Sequence, residues 1–194
     1  MSKKEDIKKI GDLVKNCKKC ILHKTRNKPV VGEGCLDAKT MLIGEAPGYN
    51  EDTQGRPFVG KAGKILDELL KSIDLKRNDV FIANILKCRP PKNRNPLRSE
   101  INNCKKFLDM QIDKIQPKII APMGSFATYY IFKKFGLKID KISNIHGKIY
   151  NVNNINGDIR IIPLFHPAIV IYNVKIKKIL FEDFKLLKKV FDEY

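Results

Sequence analysis

The chain lacks any run of 18 or more apolar residues, so nothing in it is expected to span a bilayer. Its N-terminus, Met1-Ser-Lys-Lys-Glu-Asp, has none of the apolar stretch of a secretory signal. Both absences point to a soluble, intracellular protein, placed in the cytoplasm. Cysteine is sparse at five residues, and in such a compartment these read as metal ligands or free thiols rather than disulfides. Linkers, repeats and low-complexity tracts are also missing, so residues 1–194 read as one domain, large enough for a core without staples. Acidic residues are scarce beside basic ones, 21 against 38, which leaves a formal net charge of +17. That excess favours a polyanionic partner, most often nucleic acid. The bland alternative is an AT-biased genome that writes Lys, Ile and Asn wherever they are tolerated.

What is present alternates between two periodicities. Apolar runs suited to strands occur at 39–43, 79–84 and 117–122. Amphipathic helical spacing occurs at Lys3 to Asn16, 62–73, 98–115 and 124–135. This alternation argues for βαβ units and a parallel sheet. Residues 21–38 read as irregular loop. Beyond Gly136, Lys148 to Val152 and Asp158 to Pro163 are β-rich and flank Asn153-Asn-Ile-Asn-Gly157, a hairpin signal, before a last helix over 174–193.

The most informative stretch runs from Lys39 to Leu70. Met41-Leu42-Ile43 breaks into Gly44-Glu45-Ala46-Pro47-Gly48, a polar loop with Glu51, Asp52 and Phe58 follows, and a helix begins near Gly63. Two glycines and a proline around one carboxylate suit a backbone that approaches a ligand closely. In an open α/β sheet, ligands bind at the carboxyl ends of strands. Gly55-Arg-Pro-Phe-Val-Gly60-Lys61-Ala62 nearly spells a phosphate-binding loop, but Ala62 stands where a magnesium-holding hydroxyl is needed and Pro57 removes an N–H.

Cys17 and Cys20 form a C-x2-C pair, Cys88 follows a strand, and Cys104 lies on a helix. Four thiolates suit an iron–sulfur cluster or tetrahedral zinc. The wide spacing of the second pair tilts the choice towards iron–sulfur, while a structural reading keeps Cys104 as a core residue. His23, just beyond the first pair, is a ligand only if the metal is zinc, and Cys35 is left as a free thiol. Asn84 closes a strand, either as a cap or as an amide that reads a donor–acceptor edge. Arg89-Pro-Pro-Lys-Asn-Arg-Asn-Pro96 is rigid and basic, as expected of a phosphate-contacting loop or of a solvated turn. His166 follows an apolar strand end and precedes Pro167, which restricts it to extended backbone. A neutral ring held there can donate to a developing anion. His146 has no such setting.

Glu45 in GEAPG, Phe58 in GRPFVGKAG, Asn84 in NILKCRPPKNRNP and His166 in HPA, in that order beside four spaced cysteines, resemble the family 4 uracil-DNA glycosylases. These are iron–sulfur enzymes related to a segment of certain phage DNA polymerases. The resemblance covers about residues 10–190. It implies an α/β/α sandwich with a central four-stranded parallel sheet, a [4Fe–4S] cluster on Cys17, Cys20, Cys88 and Cys104, and a monofunctional enzyme of base excision repair. By analogy with other glycoside cleavages, Glu45 is the candidate carboxylate that orients water and stabilises the sugar cation. On the resemblance His166 faces the uracil O2. Phe58 stacks on the flipped base, Asn84 reads its edge, Gly44, Ala46 and Gly48 line the pocket, and Glu51 sits near the C5 side. Arg89, Lys92 and Arg94 are expected to hold the DNA backbone. The family usually has a Leu-Leu-Arg type stretch after HPA, whereas Ile169-Val-Ile-Tyr172-Asn stands here, so Tyr172 or Ile169 would fill the gap left by the base. Uracil-containing DNA, single- or double-stranded, is the expected partner of a monomer that docks to replication or repair proteins. The rivals are a non-catalytic iron–sulfur DNA-binding module associated with a polymerase, and an enzyme of the same fold acting on a free nucleoside or nucleotide.

Overall fold

Short apolar segments become strands and amphipathic ones become the helices between them. A computed structural model describes residues 2–153 and 157–194. Helix α1 (Lys3–Lys15) starts at a capping box, in which the Ser2 hydroxyl accepts from the Glu5 N–H and the Glu5 carboxylate accepts from the Ser2 N–H. The segment read as loop, 21–38, contains a 3₁₀ turn at Ile21–Lys24 and a two-residue strand, β1 (Glu33–Gly34). Strand β2 (Thr40–Gly44) follows and is buried throughout.

The polar stretch after β2 is not all loop. Tyr49–Gln54 forms a short helix, α2, because the Glu51 carboxylate accepts the Gly48 N–H and stabilises the first turn. Six polar residues give no apolar stripe, so periodicity could not announce this helix. Helix α3 (Lys61–Lys71) and a 3₁₀ turn (Arg77–Asp79) lead into β3 (Val80–Asn84). Then come α4 (Arg98–Ile115), β4 (Ile119–Pro122), α5 (Ser125–Lys134) and one turn of helix, α6 (Ile142–Ile145). Strands β5 (Tyr150–Val152) and β6 (Ile159–Ile161) pair antiparallel, as the hairpin signal implied. The tip of that turn, residues 154–156, lies outside the described residues. A short α7 (Ile169–Tyr172) precedes the long α8 (Lys175–Phe191).

The sheet has six strands in the order β1-β3-β2-β4-β6-β5. The sheet is wider than the four parallel strands expected, by one strand at each edge. The inner strands β3, β2, β4 and β6 are parallel, and β1 and β5 add antiparallel edges. The edge strand β5 belongs to the hairpin read from the sequence, whereas the two-residue β1 is too short to show alternation and exists through its pairing with β3. Connections leaving β2 and β4 run to opposite sides of the sheet, which opens a crevice beyond their carboxyl ends.

Alternation along the strands divides the core. Leu42, Ile82 and Ala121 pack towards Leu66, Leu70, Phe184 and Leu187 of α3 and α8. Met41, Ile43, Phe81, Ala83 and Ile120 pack towards Leu108, Ile112 and Ile131 of α4 and α5. Each fully buried leucine contributes roughly 1.5–3 kcal/mol of apolar burial. The result is a three-layer α/β/α sandwich. A third apolar cluster, Ile10, Val14, Leu22, Leu86 and Phe107, lies with Cys88 and Cys104 beneath α1.

Candidate active site

A cleft of about 470 Å³ opens at the carboxyl end of the sheet. Its walls come from the turn after β2 (Glu45, Ala46, Gly48), from Glu51 and Phe58, from Asn84 at the end of β3, and from His166 beyond β6. Residues separated by up to 121 positions therefore meet in one place, because parallel strands deliver their ends to the same side. Arg94, Asn95 and Tyr172 form part of its mouth.

Asn84 is buried, and its Oδ1 is one of three buried side-chain polar atoms without a hydrogen-bond partner among the described residues. The other two, on Thr40 and Thr128, do not line the cleft. A buried amide oxygen left unpaired costs about 1–3 kcal/mol, so a donor from a ligand is the natural complement. Gly44 makes this arrangement possible. A Cβ there would overlap Asn84 Oδ1 and come within 2.7 Å of the Phe58 ring. Gly44 thus sits behind the pocket rather than in its lining.

Glu51 does not project freely into the cleft. Its carboxylate accepts N–H groups from Gly48 at 3.1 Å, Val59 at 2.8 Å and Gly60 at 2.8 Å. It ties the GEAPG turn to the segment after Phe58. Two of these bonds occupy the Val59 and Gly60 amides that lead into α3, part of the loop a phosphate would need free. Asp52 is buried and ties Asn27 to this region through the Asn27 backbone and side-chain amides.

The Glu45 carboxyl lines the cleft without a hydrogen bond or ion pair among the described residues, and burial pushes its pKa up to about 7. His166 is moved the other way. Burial lowers it to about 4, outweighing the attraction of the Glu51 charge. Its ring stacks on Phe58, with centroids 5.6 Å apart and planes at 28°. The Ala168 N–H donates to His166 Nδ1 at 3.2 Å. In a neutral imidazole that accepts at Nδ1, the proton resides on Nε2, leaving the second nitrogen as a donor. Gly124, with φ of 86°, follows β4 and keeps room for His166, whose Cβ would lie 3.0 Å from a Cβ at that glycine.

The four cysteines singled out by spacing line one cavity with Val14, His23, Arg26, Lys87 and Phe107. Cys17 and Cys20 are half-buried, and Cys88 and Cys104 are buried. The Arg26 guanidinium donates to Cys88 Sγ and the Lys87 backbone N–H to Cys104 Sγ, each at 3.2 Å. Burial raises Cys20 and Cys88 and pushes Cys104 up to about 12. Metal ligation would deprotonate such thiols outright. Among the described residues, no three His, Cys, Asp or Glu side chains converge closely enough to hold a single metal ion. Four sulfurs around a shared space, with N–H donors aimed at them and no carboxylate among them, fit the donor set of a polynuclear iron–sulfur centre. His23 is engaged with the Cys20 carbonyl at 2.6 Å, and Cys35 lies apart as a free thiol packed beside the second core.

The basic loop divides by what its side chains already hold. Arg89 bonds Asn93 at 2.7 Å and stacks over the exposed Tyr49 ring at 5.1 Å, and Lys92 is exposed with φ of 55°. Arg94 instead makes a two-pronged pair with buried Glu100 at 2.9 and 2.6 Å. Tyr172 is 87% exposed, whereas Ile169 packs against the core. His146, without context in sequence, bonds Asp183 at 2.8 Å and lies against Phe165, the residue before His166 in the chain. Sequence reasoning passed over Tyr49, Gly124 and Ala168. The only sequence trace of Gly124 is its place between a strand and a helix.

Residues 31–188 match the family model described as the uracil DNA glycosylase superfamily. A type-4 uracil-DNA glycosylase of Sulfurisphaera tokodaii is 46% identical over 187 residues, covering 96% of this chain and 85% of the relative. That of Saccharolobus solfataricus is 48% identical, covering 93% and 84%. That of Archaeoglobus fulgidus is 43% identical, covering 91% and 90%. On this match the chain belongs to the type-4 uracil-DNA glycosylases of the uracil DNA glycosylase superfamily.

Proposed function

We propose that this protein excises uracil from DNA by hydrolysing its N-glycosidic bond, leaving an abasic site for base excision repair. The observation that carries the reading is the unpartnered Oδ1 of Asn84, buried beside the Phe58 ring at the bottom of a strand-end cleft. Uracil presents an N3–H donor next to an O4 acceptor, the complement of a carboxamide edge. The base cannot be reached within a duplex, so the nucleotide must swing out, at a cost of a few kcal/mol. Phe58 then supplies the stacking surface. The Glu51 side of the cleft, bounded by Gly48, would crowd a C5 methyl group.

In the reaction the bond between C1′ and uracil N1 breaks, and its electron pair leaves with the base. The sugar carries the positive character of an oxocarbenium ion, which ionised Glu45 stabilises while it orients a water towards C1′ and accepts its proton. Nε2–H of His166 donates to the uracil O2 as negative charge builds there. Because His166 stays neutral, this donor needs no protonation. Among the described residues no lysine lines the cleft, which supports a monofunctional enzyme without a covalent intermediate.

Arg89 and Lys92 would contact phosphates, and exposed Tyr172 would enter the gap left by the base. Cys17, Cys20, Cys88 and Cys104 would hold a [4Fe–4S] cluster that, when bound, supplies a cross-link between the end of α1, the loop after β3 and α4. We place the protein in the cytoplasm as a monomer of one domain; no helix among the described residues is long and apolar enough to cross a membrane. Docking to replication or repair proteins belongs to the same reading.

The deciding experiment incubates the protein with a duplex carrying one uracil, followed by hot alkali. Strand scission at that position, with none where thymine replaces uracil, is the expected result. Tight binding without scission would instead mark a non-catalytic module. Borohydride should trap no protein–DNA adduct.

A further inference from the structure

Arg77 lies outside the cleft, in the 3₁₀ turn before β3, yet its guanidinium is aimed at the segment that carries Phe58. Nη1 donates to the Pro57 carbonyl at 3.0 Å, and Nη2 donates to the Phe58 carbonyl. Two carboxylates hold the fork in this orientation. Asp67 of α3 accepts from Nε at 2.6 Å, and Glu33 of β1 accepts from Nη1 at 3.0 Å. Glu33 also binds Arg56, one residue before Pro57, at 2.8 Å.

The peptide so gripped is an unusual one. Phe58 has φ of 51°, in the left-handed region that L side chains rarely adopt. Its carbonyl presses against α3 where Gly63 leaves room, since a Cβ at Gly63 would overlap that oxygen. The consequence reaches the cleft, because this peptide sets the direction of a ring that is fitted between Gly44 and His166. A small rotation of the Phe58 backbone would carry the ring into one wall or away from the other.

We propose that Arg77 is a positioning residue for base binding, fixing the Pro57 and Phe58 carbonyls so that the Phe58 ring presents its face to the extruded base. The proposal rests on the reading of Phe58 as the stacking surface. A lysine could not replace Arg77, because a single ammonium lacks the planar fork that serves two carbonyls and two carboxylates together.

The test is a double-mutant cycle of Arg77→Met and Phe58→Leu on uracil-containing oligonucleotides, with inhibition by free uracil as a second readout. Arg77→Met should raise KM and the uracil inhibition constant about tenfold, within the range of one base–aromatic stack, with little change in kcat. In the Phe58→Leu background the same substitution should add almost nothing. Full additivity, or an Arg77→Met enzyme with parental KM beside an impaired Phe58→Leu enzyme, would overturn the role of Arg77. If Phe58→Leu alone leaves KM and uracil inhibition unchanged, the stacking reading fails first and Arg77 loses its function with it. Should Arg77→Met not fold, Arg77→Lys replaces it in the cycle. The same rise in KM is then expected, and parental values would refute the proposal.

Discussion

Glu45 and His166 line the same cleft, and burial moves them in opposite directions, the carboxyl up to about 7 and the imidazole down to about 4. Between these values the histidine is neutral while the carboxyl is still gaining its charge. If ionised Glu45 is the working form, single-turnover excision should rise about tenfold per pH unit below 7 and level off above it. Glu45→Gln should abolish this limb. A flat profile from pH 5 to 9 in the parent would remove Glu45 from the reaction.

The same shift has a cost in stability. A carboxyl whose pKa is higher in the folded chain than in the unfolded one favours folding at low pH, and the advantage is lost as pH rises towards 7. Glu45→Gln should therefore match the parent in thermal unfolding near pH 4.5. By pH 8 it should exceed it by roughly 1 kcal/mol, a value discounted because the group is partly open to solvent. For a chain of this size that is about 2–4 °C in Tm.

His166 offers one preorganised donor, fixed in its tautomer by the Ala168 N–H. Removing such a donor costs about 3 kcal/mol in comparable oxyanion sites. His166→Ala should therefore slow excision by roughly two orders of magnitude, with duplex affinity measured by fluorescence anisotropy nearly unchanged. Equal losses in both would assign His166 to DNA binding instead.

Gly44 ends a strand that pairs on both sides, and its backbone conformation suits any residue. Gly44→Ala should fold, but its Cβ would fall on Asn84 Oδ1 and the Phe58 ring. Uracil excision and inhibition by free uracil should then be lost together. Retention of both would show that the base lies elsewhere.

Lys92 is exposed and half-buried Arg89 meets only an amide and an aromatic ring, whereas Arg94 is held by buried Glu100. Alanine at Arg89 or Lys92 should weaken DNA binding uniformly across sequences and reduce the dependence of log K on log salt by about 1 each. Alanine at Arg94 should instead leave Glu100 buried without its cation and lower Tm, with the salt slope little changed.

Cys88→Ser should eliminate absorbance near 400 nm, roughly where iron–thiolate clusters absorb, and lower Tm by releasing α1 from the 88–104 segment. Cys35→Ser should keep the absorbance. Purified protein with zinc in place of iron would overturn the cluster assignment.

Much of the fold and of the cleft is legible in the amino-acid sequence. The strand at Met41 to Ile43 is readable as a short apolar run buried on both faces, and the helix over 98–115 because its periodicity reports which face is buried. The cysteine set is readable from chelating spacing, and its members do share one cavity. The six-residue helix after Gly48 and the edge strand β1 are not, the helix because it has no apolar stripe and β1 because its two residues become a strand only against β3, about fifty positions away.

By itself, the order of residues determined a parallel α/β core, a set of four grouped thiols and a strand-end pocket containing Glu45, Asn84 and His166. Only the tertiary structure decided which polar groups are already satisfied. It gave the Glu51 carboxylate to three backbone amides, Arg94 to Glu100, and Arg77 to the carbonyls beside Phe58, while leaving the Asn84 oxygen open. The reason is physical. Apolar periodicity acts over neighbouring turns, but a hydrogen bond requires two groups within about 3 Å, and that approach exists only once distant segments have packed.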